Sequence, residues 1–484
     1  MKQKEQLTKI VGSKWILDDP ETLEAYSRDN SYVSPRKPQY VVKPKDTEEV
    51  QAIVKWANKT STPLIPVSSS PPRFRGDTVP RMGGIVVDLS RMNKIEGIDR
   101  KNKMAYLQPG VTFTQLQPEL AKEGLRLPLP LLPRTSKSVI GSFLEREPII
   151  TPRYQWDVSD PLRCLEVVFG NGESMRTGEA SGPGTIEDQR RIGGAQIWPE
   201  GPHQVDYHRV VQGAQGTMGI VTWASVKCET LPKLQKPYLV QAQKLDDLID
   251  FTYRILKLGY GDELLILNNL DLAAILSDTD GIEDKRKTLP PWTLIFCIAG
   301  FERLPEERIA YQENHMKDIA QESGVEPREG IPGAEGNEVL QALSQTSEPY
   351  WKLKLNGGFQ DIFFLTTLNR APSLIDTMSE ISNEVGYPPA KIGIYLQPVV
   401  QGTACHLEFT LFYNPDDAKE SEQANNLYVT ASKALLAKGG FFSRPYGFWS
   451  EMVYSQNTEY VAALRKVKKI FDPNNVMNPG RLCF

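Results

Sequence analysis

The sequence predicts an α+β protein whose second half is helices packed on an antiparallel sheet. Three observations carry that reading. Up to about residue 235, short strand-like and helical segments alternate without a regular βαβ rhythm. Beyond it the helices and strands lengthen. The chain then ends on a helix, 460–470, stopped by Asp472-Pro473. The resulting division is 1–235, 236–440 and 441–484, and 484 residues suffice for two or three domains.

Each element has its signal. Asp46-Thr47-Glu48-Glu49 caps a helix whose Val50, Ile53, Val54 and Ala57 recur at helical spacing. Residues 63–67, 84–89 and 104–108 read as strands. Phe113, Leu116 and Leu120 mark a helix whose start Pro118 confines to its neighbourhood. Residues 164–169 form a strand, turned at Asn171-Gly172 into 173–177, and 219–228 is another, closed by Leu231-Pro232. In the second half, 246–258 and 306–322 are helical, while 292–301, 361–368, 392–398 and 406–413 are strand-like.

Composition excludes several classes. Forty per cent hydrophobic with 24% charged residues is globular, and a net charge of −4 gives no footprint for nucleic acid. The N-terminal residues lack the apolar core of a signal peptide, and no apolar run is long enough to span a bilayer. Five cysteines, odd in number and far apart, argue against disulfides and CxxC metal ligation, and four histidines against a histidine-rich metal centre. A cytoplasmic protein without metal is the expectation.

Four separated segments point to chemistry. The first is Pro66-Val67-Ser68-Ser69-Ser70, with its loop closed by 84–92. The second is Gln108-Pro109-Gly110-Val111-Thr112. The third is Gly213-Ala214-Gln215-Gly216-Thr217-Met218-Gly219-Ile220-Val221. The fourth runs from Phe471-Asp472-Pro473 to Met477-Asn478-Pro479-Gly480-Arg481. In this order and spacing they resemble the FAD-linked oxidase family of vanillyl-alcohol oxidase, p-cresol methylhydroxylase and the glycolate and D-lactate dehydrogenases, over nearly the whole chain.

The resemblance implies a two-subdomain FAD-binding domain of the p-cresol methylhydroxylase type, an α+β cap over the flavin, and a tail returning to the FAD domain. It implies FAD as cofactor and hydride transfer from a small alcohol, hydroxy acid or phenolic compound to flavin N5. Ser68, Ser69 and Ser70 occupy the place of the family's glycine-rich phosphate loop. Here Pro71 and Pro72 offer no N–H, and Arg73 or Arg75 is the available substitute for lost donors. Ser138, Gly141 and Ser142 stand at the second flavin loop, and the Gly213–Val221 segment at the adenosine loop.

Catalytic candidates follow from the same resemblance. Arg481 belongs to the tail that returns to the flavin. His406 shares a strand face with Glu408, fit to orient a base or, equally, to be a satisfied core histidine. Arg444 and Tyr446 precede the tail. Tyr154 lies in the cluster Arg153-Tyr154-Gln155-Trp156, and His208 just before the adenosine loop. His406 or Tyr446 would carry a covalent flavin tether. The metal motif usual in the hydroxy-acid branch is absent at Gln397–His406, which places the cap strand nearer the phenol-oxidising branch.

The partners expected are a small-molecule substrate and an electron acceptor, protein or quinone, with a homo-oligomer open. Two other readings stand beside the enzyme: a flavin-carrying electron-transfer subunit of a larger redox complex, and an FAD-less binding relative.

Overall fold

A computed structural model describes residues 2–153, 160–201 and 206–484. Three sheets organise them. The first has four strands, with Val41–Val42, Ile85–Asp88 and Leu64–Val67 parallel neighbours and Ile16–Leu17 antiparallel at its edge. This parallel unit is a local departure from the expected irregular alternation. The helix Thr47–Thr60 makes the crossover, capped by Asp46 accepting from Glu49 N, and it buries Val50, Ile53, Val54 and Ala57 as its spacing predicts.

The second sheet has five antiparallel strands: Ile95–Asp99, Met104–Leu107, Gly219–Lys227, Leu162–Phe169 and Ser174–Arg176 in spatial order. Beside it the helix Phe113–Lys122 starts at a capping box of Thr112 and Gln115 and runs through Pro118. The expectation that Pro118 marks the start is therefore corrected. The capping box sets the N-terminus, and burial of Phe113, Leu116 and Leu120 outweighs the one backbone bond the proline cannot make.

The third sheet has six antiparallel strands in the order Leu234–Ala242, Trp292–Gly300, Leu264–Asn268, Ile392–Val399, Ala404–Tyr413 and Gly358–Thr366. Helices Asp246–Lys257, Pro305–Ser323, Ala371–Glu384 and Ala418–Ala437 cover one face through a core that includes Phe251, Phe296, Phe364 and Phe409. Two strands, Leu234–Ala242 and Leu264–Asn268, and the long Ala418–Ala437 helix carry no strong sequence signal. Leu265, Leu267, Ile295, Tyr395 and Phe412 belong to a second core with Phe74, Leu131, Leu132 and Ile150, so the sheet packs against the first half of the chain.

The tail runs back to the first sheet. Leu64 N donates to Val476 O and Asn478 N to Leu64 O, so 476–478 lies alongside the strand that ends at Val67. No helix among the described residues is long and apolar enough to cross a membrane.

Candidate functional site

The strand Leu64–Val67 delivers Ser68 and Ser69 to the mouth of a long cleft of about 1200 Å³, counted with its opening. Ordinary small-molecule pockets hold about 300–1,000 Å³. Three other loops meet the first, and Ser138 ties them together. Its N–H donates to Ser69 Oγ at 3.0 Å, its hydroxyl donates to Pro109 O at 2.6 Å, and the same oxygen accepts from Gly141 N at 2.9 Å. Gly141 closes the joint because a Cβ there would stand 2.7 Å from Ser68 Oγ. On the far wall Gly216 has φ +70°, and a Cβ would meet Pro66 Cγ at 2.4 Å.

Charge is concentrated in the cleft. Lys137 Nζ lies 2.7 Å from Glu145 and 3.1 Å from Glu147. Burial pushes the Glu145 carboxyl above its ordinary range. For Glu147 burial acts the same way, but Lys137, the Ser142 hydroxyl and Arg75 together hold it at about 2.

A side cavity of about 540 Å³ shares Arg75, Arg134, Lys137, Glu147 and Tyr350 with the cleft and extends under the third sheet to Tyr395, Glu408 and Arg444. On its wall Lys352 Nζ lies 2.8 Å from Asp361 Oδ1 and 2.5 Å from Glu408 Oε1. Burial disfavours charge on all three. The lysine nevertheless stays cationic between its two acids, and Glu408 is held well below the carboxylate range, chiefly by Lys352. Burial lowers Arg444 to about 10, so it remains a cation at neutral pH. No carboxylate lies within 4 Å of Arg134 among the described residues, and its guanidinium rests 5.5 Å from the Phe74 ring.

Small-residue loops thus wall an extended cleft that is continuous with a polar cavity under the third sheet, the concave form that small-molecule sites take. Residues 38–178 match the FAD binding domain model, and residues 367–482 match the model of the FAD linked oxidases, C-terminal domain. The chain belongs to the FAD-linked oxidase family.

Its relatives are distant and full-length. A D-2-hydroxyglutarate dehydrogenase from Stutzerimonas stutzeri is 23% identical, covering 99% of this chain and 98% of its own. A glycolate oxidase subunit from Bacillus subtilis is 24% identical, covering 99% and 96%. Among solved structures, p-cresol methylhydroxylase with substrate bound superposes with a TM-score of 0.83 at 17% identity over 100% of this chain and 96% of that one. These structures share the fold.

The cofactor of this FAD-linked oxidase is therefore FAD, and the cleft fits it. Nε and Nη1 of Arg73 and the Thr78 hydroxyl are buried without hydrogen-bond partners, on residues that line the cleft. Arg75 and Lys137 add positive charge for a dianionic pyrophosphate.

Of the cofactor candidates, Pro66, Val67, Ser68, Ser69, Pro109, Gly141, Gly213, Gly216, Gly219, Ile220 and Val221 line the cleft. Ser70, which is exposed, and Gly110, Ser138, Ser142, Thr217, Asn478 and Arg481 do not line it. Gly110 is packed under the carbonyls of Leu89, Ser90 and Met92, and Ser142 donates to Glu147. Thr217 donates to Ala214 O. Asn478 Nδ2 donates to both Asp77 O and Gln215 O, at 2.9 and 2.8 Å, and Arg481 Nη2 donates to Val79 O, so these tail residues brace the cleft loops.

Among catalytic candidates, Tyr446 lines the cleft and Arg444 the side cavity. His406 is buried behind Glu408, its Nε2 at 3.2 Å from Oε2, and desolvation lowers it to about 4, so it is a neutral brace for Glu408. His208 is likewise buried and lowered to about 4. Tyr154 lies outside the described residues. Sequence reasoning misses Arg134, Lys137, Glu145, Glu147, Tyr350 and Lys352. The one available signal is the charged residues Arg134, Lys137, Glu145, Arg146 and Glu147 interspersed among the mostly apolar stretches 129–132, 139–144 and 149–150.

Proposed function

We propose that this enzyme oxidises a small anionic organic substrate, a hydroxy acid or a phenolate, held in the cavity under the third sheet. The observation that carries the reading is the set of cations around that cavity. Arg134 has no carboxylate within 4 Å among the described residues, and Arg444 and Arg75 stand nearby. Glu147 and Glu408, the acids of the wall, are already committed to Lys137 and Lys352. A buried arginine fork matches a carboxylate or phenolate in geometry and charge. The names of the hydroxyglutarate dehydrogenase and p-cresol methylhydroxylase relatives agree with a substrate that carries an acidic oxygen.

The chemistry FAD supplies when bound is two-electron oxidation, the substrate C–H leaving as hydride to N5. The protein's part is positional and acid–base. Arg134 and Arg444 hold the anion, and burial keeps the Tyr350 and Tyr395 phenols protonated as donors at the cavity wall. From the adjoining flavin cleft Glu145, whose carboxyl burial raises beside Lys137, accepts the proton released when an alcohol is oxidised.

Anaerobic bleaching of the flavin absorbance by a panel of 2-hydroxy acids, phenols and neutral alcohols of matched size tests this. Anions should bleach it, Arg134→Gln should raise KM about 10- to 100-fold, and Glu145→Gln should lower kcat on an alcohol about 100-fold or more. Bleaching by neutral alcohols at equal efficiency would sink the assignment.

A second reading has one specific support. The Bacillus subtilis relative is a subunit, so this chain in turn would pass its electrons to a partner protein. Co-purification of a redox partner favours that arrangement, and rapid reoxidation of the isolated chain by oxygen removes the need for it.

A further inference from the structure

A buried cation stands at the wall of the flavin cleft with donors unmet. Arg73 is 5% exposed. Its guanidinium lies 4.5 Å from the Tyr26 ring centroid, and Nη2 donates to Ala25 O at 3.2 Å. Nε and Nη1 have no hydrogen-bond partner, and no carboxylate is within ion-pair distance among the described residues. Asp29, Asp77 and Asp88 act on it only from farther off, and burial lowers its proton affinity. A guanidinium buried without a counter-charge is expensive for a fold to keep.

The adjoining loop cannot supply much else. Pro71 and Pro72 have no N–H to give. Ser69 Oγ accepts from Ser138 N and keeps only its O–H as a neutral donor, so charged donors must come from the arginines. Arg75, the other arginine of the loop, commits Nη1 to Asp361 and packs 4.4 Å from the Phe363 ring. Arg73 alone of the two holds donors that are buried without a partner and has no carboxylate at ion-pair distance among the described residues.

Oxidised FAD carries its negative charge on the pyrophosphate, while its isoalloxazine, ribityl and adenosine portions are neutral. We propose that Arg73 is the pyrophosphate clamp of this chain, giving by charge-assisted bonds what a row of backbone N–H groups would give in a glycine-rich turn. The cofactor is a property of the family; the arginine's role is particular to this loop.

Stripping the flavin and titrating the apoprotein with FAD and with riboflavin, read by quenching of flavin fluorescence, separates the two halves of the cofactor. Arg73→Gln should weaken FAD about 10- to 100-fold, the worth of one or two charge-assisted bonds, and riboflavin less than about threefold. The FAD affinity of the unaltered protein should fall more steeply with salt than that of the variant. The flavin-free variant should melt no lower than the flavin-free parent, because an uncompensated buried charge has gone. A purely structural arginine would do the opposite, lowering that melting point and weakening both flavins alike, and this outcome overturns the proposal. If Arg73→Gln does not fold, Arg73→Lys keeps the charge without the fork. FAD should then weaken about 3- to 10-fold with riboflavin unchanged, and an unaltered ratio of the two overturns the proposal.

Discussion

Arg75 Nη1 lies 3.2 Å from Asp361 Oδ2, so a loop of the flavin-binding half and a strand of the third sheet are joined by charge beside the cleft. The same carboxylate holds Lys352 at 2.8 Å and accepts from the Thr410 hydroxyl. Asp361→Asn leaves Arg75 without its ion-pair partner and Lys352 with Glu408 alone, and should destabilise the protein by about 3–5 kcal/mol. Arg75→Met should cost clearly less, because Asp361 keeps Lys352. Denaturant midpoints of both variants check the ranking, and equal losses would contradict it.

The side-chain amide of Asn478 bridges Asp77 O and Gln215 O and so pins opposite loops of the cleft. Asn478→Ala should lose about 1–3 kcal/mol and release FAD roughly tenfold faster. The rise of flavin fluorescence on dilution measures the release. A variant with parental release kinetics would show that the loops hold each other without the tail.

Gly216 and Gly124 make a matched pair. Both have positive φ, +70° and +68°, but a Cβ on Gly216 would collide with Pro66, while one on Gly124 would have nothing within 4 Å. Gly124→Ala should cost about 1–2 kcal/mol of backbone strain alone. Gly216→Ala should cost more and should also lower the flavin-to-protein absorbance ratio, which Gly124→Ala leaves unchanged.

Asp271 is buried with neither carboxylate oxygen hydrogen-bonded, against Gly393, where a Cβ would stand 1.9 Å from Oδ1. Burial raises its pKa to about 8. The folded value exceeds the unfolded one, so its contribution is full below about pH 4 and lost as pH rises toward 8. Asp271→Asn should match the parent at pH 4–5 and exceed it by several degrees in Tm at pH 8–9. A constant difference across that range would refute the titration.

The cleft loops are legible in the sequence because their requirement is local. Ser69, Gly141 and Gly216 are small residues at strand ends and helix starts, where backbone must come close. The side cavity is not legible. Asp361 and Glu408 meet because Asp361 pairs with Thr410 and Phe363 with Glu408 across two antiparallel strands, and Lys352 arrives from a third segment. Nothing near any of the three reveals that register. Arg134 is as silent, since a lone arginine in a proline-bearing connection reads as solvated. His406 shows the converse. The strand alternation correctly places it beside Glu408, yet only the depth of burial shows that it is neutral and one layer from the cavity.

The bracing of the cleft by Asn478 and Arg481 also bears on how the protein is made. Ribosomes release the Ser68 loop some four hundred residues before the asparagine that fastens Asp77 to Gln215. During nearly all of synthesis the two sides of the cleft are without this latch. A chain stalled short of its tail should therefore let FAD go faster than the finished protein, as Asn478→Ala should.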